Sequence, residues 1–171
     1  FERFAALGAS PNAFTTFTHT TYLFSTTDNF RECLELLLNF VQDPYFTAET
    51  VQKEQGIIGQ EIRMYEDHPQ WRVFFNLLEA MYLNHPVRKD IAGTVDSIAK
   101  IDADLLYNCY RTFYHPSNMA AFVVGDIDVD EVGEQVENNL RRRNYQPMGE
   151  IIRYFPDEPA AVNKSKVSLD L

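Results

Sequence analysis

The 171-residue sequence has few cysteines, little positive charge and no long hydrophobic run. Two cysteines, Cys33 and Cys109, are too few for a disulfide-built scaffold and favour a reducing, cytoplasmic location. The 15 Lys and Arg residues stand against 25 Asp and Glu residues, and this acidic balance argues against a nucleic-acid-binding protein, which needs a basic face. No apolar run approaches the roughly 18 residues that a membrane-spanning helix needs, so no membrane span is expected.

Apolar residues are nevertheless plentiful. They make up 45% of the chain, and aromatic residues make up 13%, which is enough for a hydrophobic core and excludes a wholly disordered chain. Both ends of the sequence look interrupted, because it opens at Phe1 in a stretch typical of the end of a helix and closes with KVSLDL, which alternates like the start of a strand. We therefore expect an excerpt from a longer protein.

The spacing of apolar residues predicts a chain rich in helices. The predicted helices are residues 1–7 ended by Gly8, 29–41 capped by Asp28, 47–65 capped by Thr47, 69–83, 102–113 capped by Asp102, and a last helix with Val132, Val136 and Leu140 facing inward.

Two neighbouring segments, 12–18 and 20–26, are rich in Thr, Phe and Tyr and predict a hairpin around His19. The apolar run 119–124 (MAAFVV) predicts a central strand buried on both faces. The expected fold class is α/β, of the α+β sandwich type, with a mixed or antiparallel sheet covered by helices on one face. We expect one domain over 1–145, followed over 146–171 by a linker and the start of the next strand.

Two glutamates stand out on the predicted helix 47–65. On a helical wheel its apolar residues span one arc of roughly 160°, and Glu54 and Glu61 fall inside this arc, whereas Gly56 and Gly59 lie opposite. The two acids are two turns, roughly 10 Å, apart along the axis. Burying an unpaired carboxylate costs several kcal/mol, so this placement needs an explanation.

Three explanations are open from the wheel alone. The arc borders a cleft and both acids are solvated, or each acid pairs with an Arg or Lys of a neighbouring helix, or the acids have a function. In the last case Glu61 suits a zinc ligand and Glu54 suits a supporting role, orienting a ligand or a water. No two of the four histidines have the i, i+4 spacing that places two imidazoles on one helical face, so we expect no complete metal site in this chain.

Four ordered segments resemble the insulinase/pitrilysin family of zinc metallopeptidases, and its bacterial, processing-peptidase-like members in particular. They are GASPNAFTTFTHTTYLF, VQKEQGIIGQEIRMYEDHPQWR, NHPVRKDIAGTVDSI and FYHPSNMAAFVVGDID, and they cover about residues 4–128. The resemblance implies a half-clamshell peptidase domain, with Glu61 as the third zinc ligand and Glu54 as its supporting partner.

The resemblance also implies a peptide substrate. It places Asn12, Ala13 and Phe14 on an edge strand to which the peptide adds as a further strand. Taken alone, Asn12 is more typical of a turn and Phe14 of a core. The other implied partners are the C-terminal half of the parent chain and a second subunit, in a homodimer or a heterodimer.

One departure from the family is large. The sequence contains no His-x-x-Glu-His, the motif that supplies two zinc-binding histidines and the general base. We expect that motif to lie upstream of Phe1, so that this chain alone is an inactive fragment of a zinc endopeptidase. The alternatives are a non-catalytic partner subunit of the same family and an unrelated α/β interaction module in which Glu54 and Glu61 form ion pairs.

Overall fold

Helices make up most of the structure, a computed structural model that describes residues 2–160. The elements follow in the order α1 (Glu2–Ala6), β1 (Ser10–Thr15), β2 (Thr20–Ser25), α2 (Phe30–Gln42), α3 (Ala48–Glu66), α4 (Pro69–Met81), α5 (Val95–Ile98), α6 (Ala103–Phe113) and α7 (Val129–Arg141). Short 3-10 turns lie at Pro86–Arg88 and Pro116–Asn118. The described residues divide into two compact units, one formed by 2–45 and 106–151 and the other by 46–105 and 152–160.

The first unit contains the predicted hairpin, with β1 and β2 paired antiparallel. Alternate residues of a strand point to opposite faces of the sheet. On β2, Tyr22 and Phe24 therefore share one face, and helical aromatic residues cover it, with Phe40 against Tyr22 and Phe4 against Phe24. The opposite face is open, and Leu23 on it is 37% exposed. The predicted α+β class, an antiparallel sheet with helices on one face, is confirmed.

A small hydrophobic core joins α1 and α2 in this unit. Phe4, Ala9 and Cys33 are its buried members, and Leu7, Phe24, Leu36 and Leu37 pack against them. Helix α1 ends as predicted at Gly8, whose φ of 77° lies in the left-handed region that glycine tolerates. The turn is closed by the N–H of Ala9, which donates to the carbonyl of Phe4 at 2.9 Å.

The second unit is helical. Thr47 caps α3 as predicted, since its hydroxyl accepts from the N–H of Thr50 at 3.1 Å. Trp71 joins α3 to α4, because its indole stacks on Tyr65 with ring centroids 4.8 Å apart. The indole N–H of Trp71 donates to Asp90 at 2.8 Å, which fixes the loop after α4.

Two predictions of secondary structure were wrong. Residues 119–124 form no strand with any described residue, and Phe122 and Val124 are 91% and 99% exposed. An apolar run becomes a buried strand only beside other strands, and β1 and β2 pair with each other alone in the described chain. Asp28 does not cap α2; the cap residue is Asn29, whose side chain donates instead to the carbonyl of Leu7.

The short helix α5 was not predicted. Four residues are too few to show a helical period, although Thr94 and Ser97 form a capping box there. The strand expected from KVSLDL lies outside the described residues. None of the described helices is both long and apolar enough to cross a membrane.

Candidate functional site

Glu54 and Glu61 both lie on α3 and are both exposed to solvent. The buried residues of this helix are Val51, Gly59 and Ile62. On a wheel at 100° per residue, the two glutamates lie beside this buried stripe rather than within it. They therefore project from the flank of the helix, where no desolvation cost is incurred.

The predicted apolar arc is only partly buried, which corrects the wheel analysis. Ile57 and Met64 belong to the arc, but they are 48% and 61% exposed. Gly59, assigned to the opposite side, is buried. A wheel gives the directions of side chains, but only the neighbouring elements decide which directions are covered. Here the covered side is turned toward Gly59, away from Ile57 and Met64.

Neither glutamate's carboxylate forms a hydrogen bond or an ion pair with a residue in the described range 2–160. The alternative in which each acid pairs with an Arg or Lys, which an unrelated interaction module predicts, therefore finds no such pair among the described residues. Exposure of both carboxylates is what the solvated explanation and the functional explanation each require. The carboxylates of Glu54 and Glu61, two turns apart on one flank of α3, are each able to bind a cation or accept a hydrogen bond.

Strand β1 carries the three residues predicted to contact a peptide. Asn12 and Phe14 lie opposite Leu23 and Thr21 of β2, on the open face of the hairpin, and both are exposed. The reading of Phe14 as a core residue was wrong, since it is 49% exposed. Asn12 also lies within a strand and not in a turn.

Ala13 occupies the other face of β1, opposite Tyr22. Its N–H donates to Oδ1 of Asn12 at 2.8 Å. Strand β1 has one pairing partner among the described residues, namely β2, so its second edge is without a strand there. An edge of this kind presents backbone donors and acceptors to an added strand.

The histidines have local structural roles. Nδ1 of His68, His85 and His115 accepts from the N–H of Trp71, Val87 and Ser117, respectively, and thereby caps a helical turn. His19 lies in the hairpin turn, where its Nδ1 is 3.0 Å from the hydroxyl oxygen of Thr16.

No group of three His, Cys, Asp or Glu side chains in residues 2–160 could hold a metal ion. A zinc site needs at least three protein ligands. The described residues by themselves therefore do not fit a zinc ion, although Glu61 has the chemistry and the freedom of a single ligand.

A tyrosine cluster in the first unit was not predicted. The hydroxyl oxygens of Tyr22 and Tyr114 are 2.7 Å apart, and the rings of Tyr110 and Tyr114 stack with centroids 4.9 Å apart. Burial raises the pKa of Tyr110 to about 12, so this hydroxyl remains protonated at neutral pH. The aromatic content of the sequence signalled such residues, but not that three of them meet.

A second polar cluster, also missed, joins α2 and α7. Asn139 is 1% exposed, and its Oδ1 accepts from the side-chain amide of Gln42 at 2.8 Å. Its Nδ2 donates to Glu35 and Asn39. The sequence did contain a signal that Asn139 is buried, because Asn139 lies on the same helical face as Val132 and Val136. The cluster is saturated by its own hydrogen bonds and has a structural role.

A cavity in the first unit has a volume of about 590 Å³. Its lining comes from α1, α2 and α7 and includes Arg3, Arg31, Glu32 and Glu35. Charges of both signs alternate along it, and Arg31 and Glu35 are already paired with Glu131 and Arg142. None of the predicted site residues lines this cavity.

Comparison with known protein families gives two matches. Residues 1–95 match the profile of the insulinase family, peptidase family M16. Residues 100–170 match a second profile, described as the peptidase M16 inactive domain.

Individual relatives agree with these profiles. The chain is 53% identical over all its 171 residues to an uncharacterized zinc protease, YmfH, of Bacillus subtilis, and covers 40% of that protein. It is 25% identical to a probable mitochondrial-processing peptidase subunit beta of Arabidopsis thaliana, over 98% of this chain and 32% of that protein.

A solved structure shows the same fold. The crystal structure of a putative M16-like peptidase from Alicyclobacillus acidocaldarius superposes with a TM-score of 0.92 at 48% identity, over 96% of this chain and 39% of that one. The chain thus spans about two fifths of the length of YmfH and of the Alicyclobacillus peptidase. The first profile alone covers more than half of the sequence, and on this basis the chain belongs to the insulinase family of peptidases, family M16.

Proposed function

We propose that the full-length protein is a zinc-dependent endopeptidase that hydrolyses peptides or small proteins within a closed chamber, and that the present chain is inactive alone. The supporting observation is the pair of exposed, unpaired glutamates on α3 in a chain of this family. A carboxylate that is already ion-paired has to exchange its partner before it can bind a metal. Glu61 has no such competitor among the described residues.

Glu61 is the proposed zinc ligand of this chain, and Glu54 the proposed supporting residue. The remaining ligands come from elsewhere in the full-length protein, since residues 2–160 hold no set of three. Glu54 lies roughly 10 Å from Glu61 along the helix axis, which suits an indirect role better than coordination of the same ion.

The proposed peptide site is the second edge of β1. A peptide in extended form adds to such an edge through backbone hydrogen bonds, which are largely independent of its sequence. Ala13 supplies backbone groups at the centre of the strand, while Asn12 and Phe14 offer exposed side chains on the open face. A cytoplasmic location remains a proposal that rests on the two free thiols of Cys33 and Cys109.

The test is Glu61→Gln in the full-length protein, with zinc content measured by elemental analysis and hydrolysis of a quenched fluorescent peptide measured in parallel. The amide keeps the size of the side chain but removes the charge that binds zinc. We expect loss of both zinc and activity. Glu66→Gln, at the exposed C-terminal end of the same helix, is the matched control and should preserve both. Normal zinc content and activity in Glu61→Gln would overturn the assignment.

A non-catalytic partner subunit is the second candidate. It rests on the description of the profile that residues 100–170 match, the peptidase M16 inactive domain, although a relative aligned over the same residues is named a zinc protease. The unmodified full-length protein distinguishes the two candidates: purified with about one zinc ion per chain and active, it is a peptidase, whereas a zinc-free protein that activates or stabilises a second subunit is a partner.

A further inference from the structure

Glu158 is held by three consecutive backbone amides that lie 73 to 75 residues before it in the chain. The N–H of Leu83 donates to its Oε2 at 2.8 Å, and the N–H of Asn84 donates to its Oε1 at 2.5 Å. The N–H of His85 donates to the same Oε1. We call these three N–H groups the amide nest.

The amide nest lies between two helical elements, and its N–H groups take part in the hydrogen bonding of neither element. Helix α4 ends at Met81, and the last amide that returns to it is that of Tyr82. The following 3-10 turn begins at Pro86 and is capped by the His85 side chain. The three amides therefore have no partner within either helical element, and the carboxylate of Glu158 satisfies all of them.

Neighbouring residues of the segment add further contacts. The side-chain amide of Asn84 donates to the carbonyl of Asp157 at 2.9 Å. The ring of Phe155 stacks on that of His85, with centroids 6.1 Å apart. The segment 152–160 has no helix or strand of its own, so these contacts fix its path on the second unit.

Because Glu158 is charged, its hydrogen bonds to the amide nest are stronger than the contacts of Asp157 and Phe155. Hydrogen bonds from neutral amides to an ionised carboxylate are about twice as strong as those between neutral groups. Consecutive backbone N–H groups that converge on one point form a recognised kind of anion-binding concavity. Desolvation opposes ionisation of Glu158, but the three backbone hydrogen bonds outweigh it and hold the pKa of the carboxyl below its usual value.

We propose that the amide nest of Leu83, Asn84 and His85 is a carboxylate-binding site whose resident ligand is Glu158, and that this side chain helps to anchor the segment 152–160. The proposal is independent of peptidase activity. Removal of the side chain leaves the three donors available to a small free carboxylate.

The first test measures hydrogen exchange of the three amides in the full-length protein. In Glu158→Ala we expect them to exchange about tenfold faster or more, since each has lost a charge-assisted acceptor. Trypsin should also cut faster after Arg153, within the released segment. Glu150→Ala, an exposed glutamate outside the segment, is the matched control and should change neither. Unchanged exchange of all three amides in Glu158→Ala would overturn the proposal.

A second test adds free acetate as the carboxylate ligand, and it applies whether or not segment 152–160 stays bound in Glu158→Ala. Sodium acetate should slow exchange of the three amides in Glu158→Ala, with sodium chloride at equal ionic strength as the reference. It should have no effect on Glu150→Ala, whose nest is filled. Equal slowing in both variants, or none in Glu158→Ala, contradicts a carboxylate site. Glu158→Gln, which keeps an acceptor but loses the charge, should exchange at an intermediate rate.

Discussion

The side-chain amide of Asn139 on α7 donates to the carboxylate of Glu35 on α2 at 3.2 Å, and Asn139 is almost fully buried. The same amide group accepts from Gln42, so its donor and acceptor are both used. A buried polar residue costs little when all its groups are bonded and much when one partner is removed. The contact between α2 and α7 is therefore sensitive to the loss of this residue.

Replacing Asn139 should destabilise the first unit. Asn139→Ala removes the hydrogen bonds that Asn139 forms with Gln42 and Glu35, so we expect the free energy of unfolding to fall by about 1–3 kcal/mol. Urea unfolding followed by circular dichroism measures the change. Asn138→Ala, an exposed neighbour on the same helix, is the control. Equal stability of the two variants would show that the buried network contributes nothing.

Acid should weaken the same unit through two carboxylates. Desolvation would raise the pKa of Glu35, but hydrogen bonds from Asn139 and Asn39 and the charge of Arg142 lower it below its ordinary 4.5. A hydrogen bond from Arg143 lowers the pKa of Asp43 below its ordinary 3.8. Each depressed pKa adds stability that is fully present above the ordinary value and is lost as pH falls through the folded-state value.

The measurement is the urea midpoint as a function of pH. We expect the midpoint to decline below about pH 4.5, and the decline to be shallower in the double variant Glu35→Gln/Asp43→Asn, which lacks both titrations. Parallel curves for the double variant and the unchanged protein would assign the acid sensitivity to other groups.

Gly8 should not tolerate a side chain. Its φ of 77° is in the left-handed region, where an L-residue costs about 1–2 kcal/mol, so Gly8→Ala should lower the unfolding free energy by that amount. Gly133→Ala is the opposite case: Gly133 lies within α7, and an added Cβ meets no atom within 4 Å. That substitution should raise stability by about 0.5–1 kcal/mol, because alanine favours a helix. Thermal unfolding of both variants compares them directly.

Phe14 tests the proposed peptide site on β1. If a peptide adds to this edge, Phe14→Ala should lower kcat/KM of the full-length protein about tenfold, which corresponds to about 1.4 kcal/mol of lost binding. Its zinc content should be unchanged. Leu23→Ala, on the same open face but on β2, is the control. A larger effect from Leu23 than from Phe14 would place the peptide elsewhere.

The main helices, the hairpin and the family could all be predicted from the amino-acid sequence. The 3.6-residue period of apolar residues identified α2, α3, α4, α6 and α7, and the capping preference of threonine identified the start of α3 at Thr47. Both signals depend only on residues a few positions apart in the sequence. Four ordered segments with family-like spacing predicted membership of family M16, which the profile match over residues 1–95 confirmed. The positions of Glu54 and Glu61 on one flank of α3 also follow from helical geometry alone.

Tertiary structure decided which of these surfaces are covered. The wheel could not show that Gly59 is buried while Ile57 and Met64 are exposed, because burial depends on the elements packed against α3. Nor could the apolar run 119–124 show that it has no strand beside it in the described chain. The contact of Glu158 with the amide nest joins residues more than 70 positions apart, and no local pattern records such a pairing. Local propensity specifies the direction in which a side chain points, whereas only the packed chain supplies the group that it meets.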